Sequence, residues 1–167
     1  MTYKVQDNFL SVEDFENLKL NLFSEFFPWY FNNYKISTNA EEIYDYQFTH
    51  IFYENNQSKS NYFSILNPLL NKLNPLALLK IKCNLTTAYK SVIQFPFHID
   101  IKKSHHHQNI KTGVFYINTN NGKTVFENKQ FVNSVANRFL EFPCNLNHAA
   151  TTHTDSKIRI VLNINWI

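Results

Sequence analysis

Glycine is nearly missing from this sequence: Gly113 and Gly122 are the only two in 167 residues. Neither the GxGxxG turn of a dinucleotide site nor the GxxxxGK cradle of a P-loop can be written with so few. Nucleotide-binding Rossmann folds and P-loop NTPases are therefore excluded before any finer reading. Cysteine is equally scarce. Cys83 and Cys144 permit one bridge at most, and neither a disulfide framework nor a thiolate zinc site can be assembled. Long apolar runs are also lacking. The richest cluster, residues 23–31, is short, aromatic and broken by Pro28, so no membrane span is expected. Concentrated charge is missing too. The net charge is +3 and the pI about 8.8, but the lysines are scattered, and a nucleic-acid partner is not expected. The N-terminal residues carry charge and show no signal-like apolar run, which makes a reduced cytoplasmic compartment of a bacterium or a phage-infected cell the expectation.

What is present is apolar and aromatic. Residues of the hydrophobic set make up 44% and aromatics 16%, enough to build a core without covalent staples. The length fits one domain, residues 1–167. Two textures divide it. Residues 1–78 read mainly helical: Ser11-Val-Glu-Asp14 fits a capping box, with Asp14 in the less usual acidic role, ahead of the apolar stripe Phe15, Leu18, Leu20, Leu22 and Phe23. Residues 60–73 read as a second helix that Pro68 kinks or splits. Tyr44–Tyr53 reads as strand or irregular. Residues 79–167 read as short strands: Leu79–Tyr89, Phe97–Ile101, Thr112–Asn118, Lys123–Glu127, Phe139–Phe142 and Lys157–Trp166. Turn formers such as Thr119-Asn-Asn-Gly122 separate them, the pattern of a β-sandwich or barrel. The last strand alternates. Ile158, Ile160, Leu162 and Ile164 share one face; Arg159, Val161, Asn163 and Asn165 share the other.

His98-Ile99-Asp100 sets an imidazole and a carboxylate at i and i+2, which an extended backbone projects to one side. HxD alone is weak, because about half a match is expected by chance at this His and acid content. The alternative is a packed histidine with Asp100 paired to Lys102 or Lys103, yet a carboxylate in the apolar stretch FHIDI is costly unless paired or metal-bound. A third ligand must come from elsewhere in the chain, and His148, which follows the strand Phe139-Leu-Glu-Phe142 and a turn, is the candidate. Two histidines and one carboxylate suit a divalent first-row metal with open positions. A second match, His153-Thr154-Asp155, has no histidine after it and reads as a turn before the last strand. His105-His106-His107 reads as an exposed loop near the site mouth. Arg159 offers a planar fork for a carboxylate; a surface salt bridge to Glu141 or Asp155 is its alternative. Tyr116 either adds a hydroxyl to that carboxylate or packs in the core.

The pieces FHID, KTGVFYINTNNGKTVFE and VANRFLEFPCNLNHAATTHTDSKIRIVLNINW, in this order, resemble the prolyl-4-hydroxylase-like branch of the 2-oxoglutarate/Fe(II) dioxygenases. The N-terminal VQDNFLSVEDF and FFPWYFNN are similar to compact members from marine phages and bacteria. The resemblance implies an α+β, mainly β fold, a double-stranded β-helix (jelly roll) with the N-terminal helices packed on the larger sheet. It implies His98, Asp100 and His148 as iron ligands and as the catalytic centre, Arg159 as the 2-oxoglutarate anchor, Tyr116 as its assistant and Tyr89 as a further pocket residue. Fe(II), 2-oxoglutarate and O₂ would be the cofactors, with ascorbate as a candidate reductant. The substrate would be a prolyl peptide or a small amino-acid-like molecule, hydroxylated at carbon with release of succinate and CO₂. The chain departs from the pattern at Asn137, where relatives carry a small residue such as Gly before the arginine, and in having Gly122 alone in the hairpin. The competing readings are a non-catalytic cupin-like binding protein and a structural β-sandwich with incidental histidines.

Overall fold

The computed structural model describes residues 3–33, 35, 46–101 and 109–167. Along the chain run β1 (Lys4–Gln6), α1 (Val12–Phe23), β2 (Tyr30–Asn32), β3 (Gln47–Glu54) and β4 (Gln57–Ser58). A 3₁₀ turn (Phe63–Leu66) then leads into α2 (Asn67–Leu73). After it come β5 (Leu78–Thr87), β6 (Lys111–Tyr116), β7 (Lys123–Phe126), β8 (Phe131–Asn133), β9 (Arg138–Pro143), β10 (His148–Ala150) and β11 (Ile158–Trp166).

Local chemistry sets the helix ends. The Ser11 hydroxyl accepts from the Asp14 backbone N–H at 3.1 Å, the N-cap half of the expected box, and donates to the Asp14 carboxylate at 2.7 Å. Pro68 does split the second helix. It occupies the first turn of α2, where its missing N–H costs nothing, and the residues before it tighten into the 3₁₀ turn. The first half is less helical than its sequence suggests. Besides α1 and α2 it supplies β1 to β4, because the aromatic-rich stretch Gln47–Glu54 pairs with β5 along most of its length.

The larger sheet has the order β1-β9-β6-β11-β5-β3-β2, with β4 beside β3; every pairing is antiparallel. The smaller sheet has the order β10-β7-β8. Isolated bridges Gln94–Thr151 and His98–His148 add the 94–98 segment to its edge. The regular strand expected over Phe97–Ile101 is not formed; within it only His98 makes a bridge. Strands β8 and β10 are too short to stand out in the sequence.

Three layers result, with two apolar seams. Leu18 and Leu22 of α1 and Leu66 and Leu69 near α2 pack with Ile81, Phe115, Ile160, Leu162 and Ile164 on one face of the larger sheet. Between the sheets lie Val114, Tyr116, Phe126, Val132, Leu140, Phe142, Leu146 and Val161. Two facing antiparallel sheets with helices on the outer face of the larger one constitute a jelly roll of the double-stranded β-helix type. The alternation read in β11 decides which face meets which seam. Its isoleucines and leucine go to the helices, and Arg159, Val161 and Asn163 turn inward to a cavity.

Asn137 has φ 60°, in the left-handed region that glycine fills most easily. Asparagine tolerates it, and here its side chain also accepts from the Leu10 N–H (2.8 Å) and donates to the Leu10 carbonyl (2.9 Å). A backbone-neutral position has thereby become a tie between the N-terminal segment and the sheet.

Candidate metal centre

The two sheets part at one end around a cavity of about 410 Å³. Its larger-sheet wall carries Lys82, Asn84 and Thr86 of β5 and Arg159, Val161 and Asn163 of β11. Thr124 of β7, His148 and Ala150 of β10, and Phe95 and His98 form the facing wall.

His98 and His148 are tied backbone to backbone. The His98 N–H donates to the His148 carbonyl (2.9 Å) and the His148 N–H to the His98 carbonyl (3.0 Å). A directly bonded antiparallel pair sends both side chains to one side, and the ring centroids stand 4.5 Å apart. Asp100, two residues on, brings Oδ1 to 3.8 Å from His98 Nε2 and 3.7 Å from His148 Nε2. One ligand atom from each of the three residues falls within 4.8 Å of the others. The second HxD match forms no such group among the described residues.

The protonation pattern suits a metal. His148 Nδ1 lies 3.0 Å from the Leu146 carbonyl; a carbonyl only accepts, so Nδ1 carries the proton and Nε2 presents its lone pair to the centre. Burial holds His98 below the usual imidazole range, which favours the neutral, ligating form. The other carboxylate oxygen of Asp100 accepts from Asn165 Nδ2 at 3.3 Å, and Asn165 in turn bonds Thr112 Oγ1 at 2.9 Å. Such outer contacts fix the orientation of a ligating carboxylate. Two imidazoles and one carboxylate, converging from one side, fit a first-row divalent ion with open positions.

Arg159 lies deeper in the same cavity. It is buried, 4% exposed, and its Nε has no hydrogen-bond partner. Among the described residues no carboxylate pairs with it. Glu141 is bonded to Lys111 at 3.2 Å, and Asp155 accepts from the Asn121 N–H at 2.9 Å. A buried guanidinium without a counterion is costly, and burial lowers its pKa. The arrangement is that of a receptor for an anion. Gly122 makes room for it: a Cβ there would meet Arg159 Cδ at 2.9 Å and Nε at 3.0 Å.

Tyr116 lies beneath, with the guanidinium carbon 5.8 Å from its ring centroid. Its hydroxyl donates to Thr124 Oγ1 at 2.7 Å, and burial pushes its pKa up to about 12. Tyr89 lies outside the cavity wall; its hydroxyl accepts from Lys35 Nζ at 2.6 Å, and it is Lys35 that reaches the wall, over the Phe95 ring at 4.1 Å. His105, His106 and His107 and the lysines at 102 and 103 lie outside the described residues. His153 lies in the irregular stretch before β11, as its sequence suggests, but is fully buried there.

Two wall residues escaped the sequence reading, Lys82 and Asn84. For β5 the signal was present, because Lys82, Asn84 and Thr86 alternate with the buried Ile81 and Cys83. Asn165 was assigned to the inward face of the last strand, but its partner Asp100 is a long-range contact that no local pattern announces.

No protein-family profile and no curated protein matches the sequence. Solved structures do match the fold. The viral collagen prolyl hydroxylase of Paramecium bursaria Chlorella virus-1, solved with 2-oxoglutarate, superposes with a TM-score of 0.59 at 14% identity, covering 99% of this chain and 94% of that one. A prolyl-4-hydroxylase of Pseudomonas putida gives 0.57 at 13%, with 98% and 90% covered. The non-haem alpha-ketoglutarate-dependent epimerase SnoN from nogalamycin biosynthesis gives 0.66 at 12%, with 99% and 77% covered. At these identities the likeness is one of fold, and it bears out the double-stranded β-helix with N-terminal helices.

Proposed function

We propose that the protein is an Fe(II)- and 2-oxoglutarate-dependent dioxygenase. It hydroxylates a carbon of a small amino-acid-like or peptidyl-prolyl substrate and releases succinate and CO₂. One observation carries the reading. A His-Asp-His group and a buried arginine with no carboxylate partner among the described residues face the same cavity, as a keto acid that chelates a metal at one end and ends in a carboxylate at the other requires. The solved structures of similar fold include an epimerase named as non-haem and alpha-ketoglutarate-dependent and a prolyl hydroxylase solved with 2-oxoglutarate.

In this reading His98, Asp100 and His148 hold the iron, which when bound supplies the chemistry that activates O₂. Asn165 orients Asp100, and the Leu146 carbonyl fixes the tautomer of His148. Arg159 binds the distal carboxylate of 2-oxoglutarate. Tyr116 braces the guanidinium from below and sets the Thr124 hydroxyl at the wall. Tyr89 acts at one remove, through Lys35. Apolar seams on both sides of the larger sheet pack the strands that carry these groups.

The test is to load purified protein with Fe(II) and ascorbate in air and to measure succinate formed from 2-oxoglutarate. Succinate above the metal-free control is expected. Replacing Arg159 by Ala should raise the 2-oxoglutarate concentration needed for half-maximal rate by roughly ten- to a hundredfold, the worth of a charge-assisted contact, with iron still bound. Stoichiometric iron binding with no succinate, alone or with free amino acids or prolyl peptides, would make the chain a cupin-like metal-binding protein and overturn the proposal.

A further inference from the structure

The cavity contains a cation that the proposed chemistry leaves without a partner. Lys82 stands opposite Asn163 in the β5–β11 register, and Arg159 stands opposite Thr86. Four residues of extended strand separate the two levels, about 13 Å at the usual rise. Lys82 is therefore at the metal end of the wall and Arg159 at the far end. It lies within electrostatic reach of Asp100 and His98, but no carboxylate among the described residues forms an ion pair with it. Glu54, the other nearby acid, is paired with Lys80.

Charge counting then points to a ligand. Among the described residues Asp100 is the only carboxylate on the cavity wall. A divalent ion, the 2-oxoglutarate dianion, Asp100 and Arg159 sum to zero. Two wall cations remain: Lys35, which bonds the Tyr89 hydroxyl and lies over the Phe95 ring, and Lys82, which is partly buried at the His98–Asp100 end, where an ammonium without an ion-pair partner is costly. The amide oxygens of Asn84 and Asn163, on the same wall, have no hydrogen-bond donor. 2-Oxoglutarate offers only acceptors, so it cannot supply one. The substrate that answers this wall has an anionic group for Lys82 and N–H groups for the asparagines.

We propose that Lys82 is a specificity-determining residue that binds the free carboxylate of the substrate, so that the enzyme acts on an unblocked amino acid rather than on a residue inside a peptide. This rests on the dioxygenase reading and narrows its substrate class. A chain-internal prolyl residue has no charge to place on Lys82.

The test uses the full chain loaded with Zn(II) and 2-oxoglutarate, which binds without turning over. Binding is read by ligand-observed NMR against the free L-amino acids, their amides, and N-acetylated prolyl amides. Hits are expected among the free acids, with the amide of each hit bound at least about tenfold more weakly. Lys82→Met should bring acid and amide to near-equal affinity, and Lys82→Arg should preserve the difference. Amides or acetylated prolyl amides binding as well as the acids, no binding by any free acid, or an unchanged ratio in Lys82→Met would each overturn the assignment. Binding of 2-oxoglutarate to the Zn(II)-loaded wild type and Lys82→Met is followed in the same samples. Its loss in the wild type would sink the dioxygenase reading itself, whereas its retention with no preference for acids would sink only the role of Lys82.

Discussion

His98 and His148 lie fifty residues apart in sequence (148 − 98) and hold each other by two backbone hydrogen bonds of 2.9 and 3.0 Å. The bond pattern that closes the edge of the smaller sheet is thus also what brings the two imidazoles to one side. Asp100 completes the group because it follows His98 by two extended residues. The centre is consequently built into the sheet edge rather than hung on a loop, which suits a site whose ligands must stay within a few tenths of an ångström of their working geometry.

Removing a ligand should therefore cost metal and not fold. Asp100→Ala and His148→Ala are each expected to abolish stoichiometric Fe(II) binding, measured by equilibrium dialysis and metal analysis, with the far-ultraviolet circular dichroism unchanged. His153→Ala should retain iron. Retention of iron by Asp100→Ala would move the site elsewhere.

Gly122 tests the co-substrate end without touching a ligand. A methyl group there would stand 2.9 Å from Arg159 Cδ and 2.8 Å from Asn120 Oδ1, so the guanidinium must shift. Gly122→Ala should raise the 2-oxoglutarate requirement by about tenfold, a 1.4 kcal/mol effect, while iron affinity stays at the wild-type value. Equal weakening of both would show that the substitution disturbs the whole cavity.

His153 should make stability fall in mild acid. Burial, and then the Arg159 guanidinium, lower its pKa below the ordinary 6.5, with the Ser156 backbone opposing weakly; neither ring nitrogen has a well-formed hydrogen bond. A base whose folded pKa is depressed takes up its proton more readily when unfolded. Its contribution is complete above 6.5 and is lost as pH falls from there toward the lowered folded value. The melting temperature of the wild type should drop between pH 7 and 5.5 by more than that of His153→Leu. Parallel curves would remove His153 from the account.

Asn137→Gly should destabilise, although glycine suits φ 60° better. The exchange relieves the left-handed backbone but removes both side-chain bonds to Leu10. At roughly 0.5–1.5 kcal/mol per bond, less the backbone gain, a net loss of about 1 kcal/mol is expected in chemical denaturation. A gain in stability would mean that the backbone term dominates.

The sequence by itself determined which residues have one neighbour along the chain to answer to. The N-cap at Ser11, the two-sided β11, the i, i+2 geometry of His98 and Asp100 and the preference for that pair over His153 and Asp155 follow from periodicity and order, which are local. Only the tertiary structure decided what those residues meet. It placed the 94–98 segment on a sheet edge by single bridges, turned the stretch Gln47–Glu54 from an ambiguous run into a paired strand, and buried His153. It also left Arg159 without a counterion among the described residues and set Lys82 at the His98–Asp100 end of the cavity. Those outcomes depend on pairings across tens of residues, whose energies are set by burial and by which charge lacks a partner, and neither quantity exists until the sheets have closed.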